Sequence, residues 1–465
     1  MNLLGELPNG QLLESGIYPG LQGDAAPFWK DGENVLFRDG GVEQNYGLTG
    51  LANLASRPTG MKAVVASTEQ RLFVGAGTKP YRYRNSDGLT ELATMASSGG
   101  IYQFVPLQDA CLISNGVDPL KLWDGSATPA PDITAPFTRA NVIFKYKSQA
   151  FAAGTNNGGQ KVEYSQVNSF SDWVPTLTNT ASWLYLYELD GDIVCAKPLG
   201  TGYGIYSRSN AVFFYWVGGT ITYTANPPLK GVGALSPYSV VSIGNVHFGI
   251  TAEYCFATDL TSFTIIDRPH IRAWIDANVD WDRQTEIYGW PDWNAGMIRW
   301  CVPLLTGGTI GLGYNWRTGA WTKFNDGGVI GEESGSFPYG FVGKSSRLLK
   351  VDRSLYTNDA SAPTAYVQTK PLDFGNQKKY KKIYGLSLDV TWTGTPQVTI
   401  GWSNDPLDSP TWLTSVDLAK EIFPDFLSSM SDVVFMHLKI SSSGASDSWK
   451  LSGGKIYGVM TGNVN

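Results

Sequence analysis

The sequence predicts an all-β protein that consists of many short antiparallel strands. Its 465 residues include 53 Gly, 25 Pro and 16 Trp, a composition typical of short strands joined by tight turns. Between residues 51 and 357, a unit of apolar strand, turn, aromatic strand and polar loop recurs at roughly the 40–45 residues of a propeller blade. These observations predict a β-propeller of six or seven blades, and no motif repeats cleanly enough to decide between the two numbers.

Residues 1–50 are predicted to form an arm followed by a hairpin. The arm, residues 1–32, has irregularly spaced Gly and Pro and no periodicity, so we expect it to be ordered only by packing on something else. An unfolded arm would expose apolar side chains for no benefit, so four of them are candidate assembly contacts: Ile17, Tyr18, Phe28 and Trp29. Short strands at 34–38 and 42–44 follow. Asp39-Gly40 between them is a strong hairpin signal, because Gly adopts a positive φ without steric cost.

One helix is predicted inside the propeller, near residues 268–283. Apolar residues recur there near i, i+3, i+4 and i+8, the period of an amphipathic helix: Ile271, Trp274, Ile275 and Val279. Pro269 suits the first turn of such a helix. Insertions between blades commonly carry assembly contacts, so Trp274 is a further interface candidate. In the blade that follows, we expect Trp300, Trp316 and Trp321 to pack together as a core.

A separate β-sandwich-like module is predicted for residues 362–465, after a linker at 358–363. Leu386, Leu388 and Val390 alternate with polar residues, as in a half-buried antiparallel strand. The module also contains the densest run of charge in the chain, with four lysines that are candidate interface residues: Lys378, Lys379, Lys381 and Lys382. One interpretation of this run is a solvated loop that leads into a strand. The other is an electrostatic contact with an acidic neighbouring subunit or with phosphate.

Bulk properties exclude several classes of protein. A net charge of −6 argues against a protein that binds DNA by neutralising its phosphates. No window approaches the 18 or so apolar residues of a membrane span, so we expect no membrane insertion. The N-terminus lacks the pattern of a signal peptide, which indicates synthesis in a cytoplasm. Four cysteines lie far apart in apolar runs and are expected to be buried free thiols: Cys111, Cys195, Cys255 and Cys301.

No arrangement of residues predicts an enzyme, a metal site or a cofactor. His247, His270 and His437 are far apart in the sequence, and structural roles are favoured for them. The spacings of nucleotide-binding loops, nucleophile elbows and zinc proteases do not occur. A glycosidase needs only two carboxylates brought together in space, which spacing along a sequence does not reveal. A glycan-binding or glycan-cleaving propeller of a tail fibre or cell surface therefore stays open as the alternative function.

Four phrases follow one another along the chain: NVLFRDGGVEQNYGLT at 34–49, LISNGVDPLKLWDG at 112–125, NVDWDR at 278–283, and IRWCVP with YNWRTGAW at 298–303 and 314–321. In this order the phrases resemble the tail hub or nozzle proteins of short-tailed double-stranded DNA bacteriophages, also called packaged-DNA stabilisation proteins. Arg299-Trp300 departs from the pair of tryptophans that the family more often has. No single phrase is specific, and the ordered set carries the resemblance.

The resemblance implies a structural protein of the virion tail, made in the host cytoplasm. Its members form a ring, here expected to be a homohexamer, at the distal end of the tail, where they retain packaged DNA and form the conduit for its ejection. The implied partners are the upstream head–tail adaptor or portal-associated protein and a distal needle, plug or receptor-binding fibre. Six copies with a charge of −6 each carry about −36, so double-stranded DNA should pass through the channel without tight binding.

Overall fold

The residues that the structure describes form an all-β chain with one short α-helix and one 3₁₀ helix. A computed structural model describes residues 3–7, 13–19, 27–66, 69–107, 109–126, 128–218, 222–359, 361–422 and 433–464. Strands account for 53% of the structure and helices for 3%, which confirms the predicted all-β class. The strands in the described ranges form nine sheets, seven of three to five strands and two of six. Residues 1–2, 8–12 and 20–26 of the predicted arm lie outside the described ranges.

Five strands precede the small sheets: β1 (Leu3–Leu7), β2 (Trp29–Glu33), β3 (Val35–Arg38), β4 (Gly41–Gln44) and β5 (Gly47–Asn53). Strands β3 and β4 form the predicted hairpin. Asp39 and Gly40 at its tip have φ angles of 53° and 75°, the left-handed conformation that a two-residue Asp-Gly turn requires. Beyond this hairpin, the five strands pair with distant parts of the chain and form no unit of their own.

The seven small sheets consist mostly of strands that are consecutive in sequence. The first sheet contains β6 (Pro58–Ala66), β7 (Glu69–Ala76), β8 (Lys79–Arg84) and β9 (Gly88–Glu91), and the second contains β10 (Gln103–Leu107), β11 (Ala110–Ser114) and β12 (Lys121–Trp123). The third contains β13 (Ala140–Tyr146), β14 (Gln149–Thr155), β15 (Gly158–Tyr164) and β16 (Ser182–Tyr185). The fourth contains β17 (Cys195–Leu199), β18 (Gly202–Tyr206), β19 (Asn210–Trp216), β20 (Tyr223–Ala225) and β21 (Leu229–Lys230). Each predicted unit in this part of the chain falls on one sheet.

The last three small sheets follow the same plan. The fifth sheet contains β22 (Val240–Ile243), β23 (Val246–Ile250), β24 (Cys255–Thr258) and β25 (Phe263–Ile265). The sixth contains β26 (Tyr288–Asp292), β27 (Met297–Pro303), β28 (Thr309–Asn315) and β29 (Trp321–Phe324). The seventh contains β30 (Ile330–Glu332), β31 (Phe341–Lys344) and β32 (Arg347–Asp352) together with β5. Because β5 pairs with β32, a strand from the start of the chain completes the seventh sheet. Because β5 and β32 are about 300 residues apart in the sequence, no local sequence pattern could predict that they pair.

The first strands of the seven sheets contact one another in a closed series. Strand β6 contacts β10, and the contacts continue through β13, β17, β22, β26 and β30, which returns to β6. Most other strands of each sheet are paired in order outward from its first strand. The seven first strands therefore surround a shared central space, which contains the cavities described below.

Helix α1 (Arg272–Asn278) lies between the fifth and sixth sheets and is shorter than predicted. Val279 is extended (φ −80°, ψ 132°), which ends the helix, and a 3₁₀ helix at Trp281–Glu286 follows. Pro269 precedes α1 and does not lie in its first turn, so that detail of the prediction was wrong. Ile271 and Ile275 are fully buried, as the apolar period indicates.

The C-terminal strands are β33 (Ala365–Thr369), β34 (Lys379–Thr393), β35 (Gln397–Ser403), β36 (Thr411–Trp412), β37 (Val416–Asp417), β38 (Glu421–Ile422), β39 (Phe435–Ser442) and β40 (Ser448–Asn463). They belong to the two six-stranded sheets, and the N-terminal strands complete both. One sheet contains β1, β3, β4, β40, β34 and β38, and the other contains β2, β33, β39, β35, β36 and β37. The predicted arm and the predicted C-terminal module are thus one structural unit.

A single hydrophobic core joins this unit to the sixth small sheet. The largest cluster of buried apolar side chains includes Trp29, Leu438 and Trp449 as well as Trp300 and Trp321 of the sixth sheet. The backbone of the N-terminal segment also bonds to strand β29, with Ile17 N donating to Trp321 O (2.9 Å). This shared core makes the two parts of the chain a continuous body.

Candidate functional site

Two cavities occupy the central space between the first strands. One has a volume of about 580 Å³, and we call it the Arg208 cavity after a side chain in its wall. The other, of about 420 Å³, is lined by residues from all seven first strands, and we call it the Lys197 cavity. Concave clefts of this size are where proteins usually bind small molecules, so these cavities are the candidate site.

Tyr238 lies in the walls of both cavities, as do Gln103, Pro237 and Tyr288. It lies just before β22, and its hydroxyl donates a hydrogen bond to the carbonyl oxygen of Tyr102 (2.8 Å), just before β10. Its ring stacks on Tyr288, with centroids 4.1 Å apart and planes 22° apart. Burial raises the pKa of both hydroxyls above the ordinary tyrosine value, so both are neutral at physiological pH. The two tyrosines brace the fifth and sixth sheets against the second.

Close backbone approach holds Tyr102 in this position. A β-carbon at Gly60 would lie 1.8 Å from the Tyr102 carbonyl oxygen, and one at Gly75 would lie 2.0 Å from its ring. Only glycine leaves the space that these contacts need. The first sheet therefore fixes the acceptor of the Tyr238 hydrogen bond.

Three lysines from three first strands line the Lys197 cavity: Lys62 on β6, Lys145 on β13 and Lys197 on β17. Lys62 forms an ion pair with Glu332 (2.9 Å), whereas Lys145 is exposed at the surface. The Lys197 ammonium lies 4.7 Å from the centroid of the Tyr238 ring. No carboxylate within the described ranges forms an ion pair with Lys197. Burial lowers its pKa, which is the direction expected for an ammonium removed from water.

Carboxylates line the opposite side of the same cavity, at Glu332 and Glu333. Burial raises the pKa of Glu333 to about 7, and the neighbouring charge of Asp292 adds to the effect. Arg353 lies 3.5 Å from Glu333, and Arg299 forms an ion pair with Asp292 (2.7 Å). Near neutral pH, Glu333 therefore carries only part of a negative charge, and the lysines dominate the electrostatics of the cavity.

The Arg208 cavity has a different polar wall. Glu286 accepts hydrogen bonds from Arg57 (2.9 Å) and from two nitrogens of Arg283 (both 2.8 Å). These arginines lower the pKa of the Glu286 carboxyl. Glu286 is thus compensated by Arg57 and Arg283, whereas Arg208, which is exposed, forms no ion pair within the described ranges.

The interface candidates of the arm lie inside the chain. Ile17 and Trp29 are fully buried, and Tyr18 and Phe28 are buried as well. The indole of Trp29 donates to the carbonyl oxygen of Leu13 (2.9 Å), and the ring of Tyr18 stacks on His270 with centroids 4.3 Å apart. The surface on which this part of the arm is ordered is the chain's own core. In a single chain these four side chains are not available to a partner.

Trp274 and the lysine cluster divide between surface and interior. Trp274 is half-buried against the main core, with the Lys323 ammonium 5.2 Å from its ring. Lys381 is fully buried, and its ammonium donates to the carbonyl oxygens of Val434 (2.7 Å) and Asn376. The prediction of four lysines at a solvated loop or interface was wrong for Lys381. Strand β34 begins at Lys379, and because successive side chains of a strand point to opposite faces, the side chain of Lys381 points into the interior while that of Lys382 is exposed. The exposed members are Lys378, Lys379 and Lys382.

The four cysteines, His247 and His437 lie in the interior, whereas His270 is half-buried. His247 hydrogen-bonds Tyr206 (2.7 Å) and the carbonyl oxygen of Pro198 (2.8 Å), and His437 hydrogen-bonds Ser403 (3.0 Å). Burial lowers the pKa of His247, His270 and His437 to about 4. All four cysteines are buried free thiols, which confirms the prediction.

Across the described residues, no group of three His, Cys, Asp or Glu could hold a metal ion. Within those residues, no helix has the length and apolar character that crossing a membrane requires.

Sequence reasoning missed the residues of the Lys197 cavity. Lys62 stands between Met61 and Ala63, and Lys197 stands between Ala196 and Pro198, all within first strands. A lysine inside an otherwise apolar strand is the signal that could have identified them, since first strands are largely buried. The signal is weak in any one strand and becomes specific only once the strands are known to face each other.

Comparisons with known proteins define no family for this chain. No family model matches it, and no curated protein matches it. Among solved structures, it is similar to one titled "Structure of U3-55K", with a TM-score of 0.44 and 7% identity, over 66% of this chain and 98% of that one. A likeness at this level defines neither the fold nor the function.

Proposed function

We propose that this chain is a structural virion protein that forms a ring of six copies at the distal end of a short phage tail. In this proposal the seven small sheets are the blades of a seven-bladed β-propeller, and the two large sheets form a β-sandwich. The closed series of first strands and the completion of the seventh sheet by β5 support the propeller. Closure by a strand from the other end of the chain also protects the edge of the last blade.

The observation that carries the proposal is the position of the opening phrase, residues 34–49. It supplies β3, β4 and the first part of β5, so it pairs with β40 in one large sheet and with β32 in the seventh small sheet. Another phrase, residues 298–303, forms most of β27, whose Trp300 belongs to the core shared by the two parts. These two phrases thus lie where the two parts join, whereas the phrase at 112–125 lies in the second small sheet. Such joints suit a rigid wedge that must keep its shape within a ring.

Charge supports a conduit rather than a DNA-binding surface. Each chain carries −6, and six copies would carry about −36, so phosphates would be repelled from the ring. Three exposed lysines, Lys378, Lys379 and Lys382, could then contact an acidic neighbouring protein. DNA would be retained by a closed gate and would slide past the ring walls when the gate opens.

The proposed partners follow from the position in the tail. One face of the ring would bind the upstream head–tail adaptor or portal-associated protein. The other would bind a distal needle, plug or receptor-binding fibre. The protein would be made in the host cytoplasm and would work in the virion tail, without an enzymatic role.

Labelling of intact particles tests this location. Antibodies raised against the purified chain should mark a single position, the tail tip, in electron micrographs of the virus that encodes it. Antibodies preabsorbed with the same purified chain should give no label and serve as the control. Labelling of lateral fibres, or of the cell surface and no particles, would contradict the proposal.

A second candidate function is glycan binding, and one observation favours it. Trp290 and Trp293 both line the Lys197 cavity, and Trp293 is 45% exposed. Sugar rings pack on exposed aromatic faces of this kind. Binding of neutral oligosaccharides that Trp293→Ala abolishes, by a protein that stays monomeric, would favour this function over a tail ring.

A further inference from the structure

We propose that the Lys197 cavity is a binding site for a small organic anion, whose carboxylate or phosphate group lies against the ammonium of Lys197. The inference concerns a cavity within one chain, between its first strands. The test of this binding site is therefore independent of whether several chains form a ring. The basis of the proposal is the combination of an unpaired cation, an excess of lysines and an aromatic wall in one cavity.

The first observation is the unpaired charge of Lys197. Lys197 lies in the cavity wall, and its ammonium lies 4.7 Å from the centroid of the Tyr238 ring, a cation–π contact. By contrast, Lys62 on the opposite strand has Glu332 at 2.9 Å. Lys197 is half-buried, and the Glu332 carboxylate that acts on its charge is already paired with Lys62. Partial burial of the ammonium is costly, and an anion that entered the cavity would offset that cost.

The second observation is the charge balance of the wall. Lys62, Lys145 and Lys197 face two carboxylates, Glu332 and Glu333. Glu332 already pairs with Lys62, and Glu333 lies 3.5 Å from Arg353, a side chain outside this cavity's wall. Lys145 and Lys197 are therefore left to bind a ligand, and an anion is the complementary charge.

The third observation is the shape and chemistry of the rest of the cavity. Its volume of about 420 Å³ greatly exceeds that of an inorganic anion and lies in the range of small organic ligands. Phe144 and Tyr203 lie in the wall next to Lys145, with ring centroids 4.6 Å apart. The Tyr203 hydroxyl donates to the Lys145 carbonyl oxygen, which holds this aromatic surface in place. A ligand with an anionic head and a planar or ring-shaped body fits this wall.

The direct test is a ligand-observed NMR titration of the intact chain at low ionic strength with three probes of one shape. Benzoate and phenyl phosphate carry the anionic head, and benzyl alcohol is the neutral control. We expect the anions to bind at least about tenfold more tightly than the alcohol, with affinity that falls as salt is added. The tighter of the two anions identifies the preferred head group.

Variants locate the site. Lys197→Met should weaken anion binding at least about tenfold, and Lys145→Met, which changes an exposed side chain and so spares the fold, should weaken it by a smaller factor. Lys230→Met removes an exposed lysine outside the cavity and should leave binding unchanged. Equal binding of benzyl alcohol and the anions would overturn the proposal. So would anion binding unchanged in Lys197→Met and Lys145→Met, or no anion binding up to about 10 mM.

Discussion

The hydroxyl of Tyr238 donates a 2.8 Å hydrogen bond to the backbone carbonyl of Tyr102, from the segment before the fifth sheet to the segment before the second. This contact lies beside both cavities, whose walls include Tyr238, and it joins parts of the chain that are 136 residues apart. Stability and cavity structure therefore depend on the same side chain, which makes it a good point for mutation.

Two substitutions separate the roles of Tyr238. Tyr238→Phe removes the hydrogen bond and keeps the stacking on Tyr288, so we expect a loss of about 1 kcal/mol in the free energy of unfolding. Tyr238→Ala also removes the ring, and a loss of about 3–5 kcal/mol is expected. Urea denaturation measures both. Tyr187→Phe, at a side chain that is 77% exposed, is the matched control and should have little effect. Equal stability of Tyr238→Ala and the wild type would refute this role.

Trp300 and Trp321 stack in the core shared by the sixth sheet and the large sheets, with centroids 6.0 Å apart. Both are fully buried, and the Trp321 indole donates to the Ile266 carbonyl oxygen (2.9 Å). Trp321→Ala should cost about 3–5 kcal/mol and lower the melting temperature sharply. Trp293→Ala, at a side chain that is 45% exposed, should lower it far less. Similar melting temperatures for the two variants would contradict the core assignment.

The exposed lysines give a prediction about DNA. Purified protein should bind duplex DNA weakly even at low salt, because like charges repel and few phosphates are neutralised. Replacing Lys378, Lys379 and Lys382 by Gln should impair assembly more than it changes DNA affinity. Lys381→Gln is the contrasting variant, which should lower the melting temperature because its buried ammonium bonds backbone carbonyls. Tight, steeply salt-dependent DNA binding that the triple variant loses would contradict a conduit.

The buried histidines predict a dependence of stability on pH. His247 has a pKa of about 4 in the folded chain, below the ordinary value of 6.5. The unfolded state therefore takes up the proton first as the pH falls, so stability is lost between about pH 6.5 and pH 4, by up to about 3 kcal/mol for this residue. Glu333, with its pKa raised to about 7, acts in the opposite direction, since its contribution falls as the pH rises from 4.5 to 7.

Melting temperatures measured across this range test the histidine effect. His247→Asn should make the decline between pH 6.5 and pH 4 shallower, because one of the three histidines with a lowered pKa is gone. Tyr206→Phe removes the hydrogen-bond partner of His247 and keeps the imidazole, so its decline should stay as steep as that of the wild type. A decline that His247→Asn leaves unchanged would show that other groups cause it.

Local patterns predicted the local elements and missed the distant pairings. Asp39-Gly40 predicted the β3–β4 hairpin, and the apolar period predicted a helix that contains Ile275, because both signals depend on neighbouring residues. Trp316 was expected in the core with Trp321, yet it is half-buried and packs edge-on against Trp293, with centroids 5.6 Å apart. Aromatic type alone does not tell which face of a strand or turn is inward.

The candidate site could not be predicted in the same way. Lys197 and Glu332 come from strands more than a hundred residues apart, and only the closed series of first strands brings them to one cavity. The pairing of β2 with β33 is equally distant, so the arm seemed to lack a partner within the chain. Interactions of this kind depend on topology, which short-range sequence patterns do not encode.

Assembly is the central claim, and the mass of the purified protein tests it most directly. Native mass spectrometry, with negative-stain imaging of the same sample alone and with its upstream neighbour, reports both the copy number and the symmetry. We predict sixfold rings with roughly six times the 50.6 kDa of one chain. A monomer under both conditions, with no ring in the images, would contradict the account.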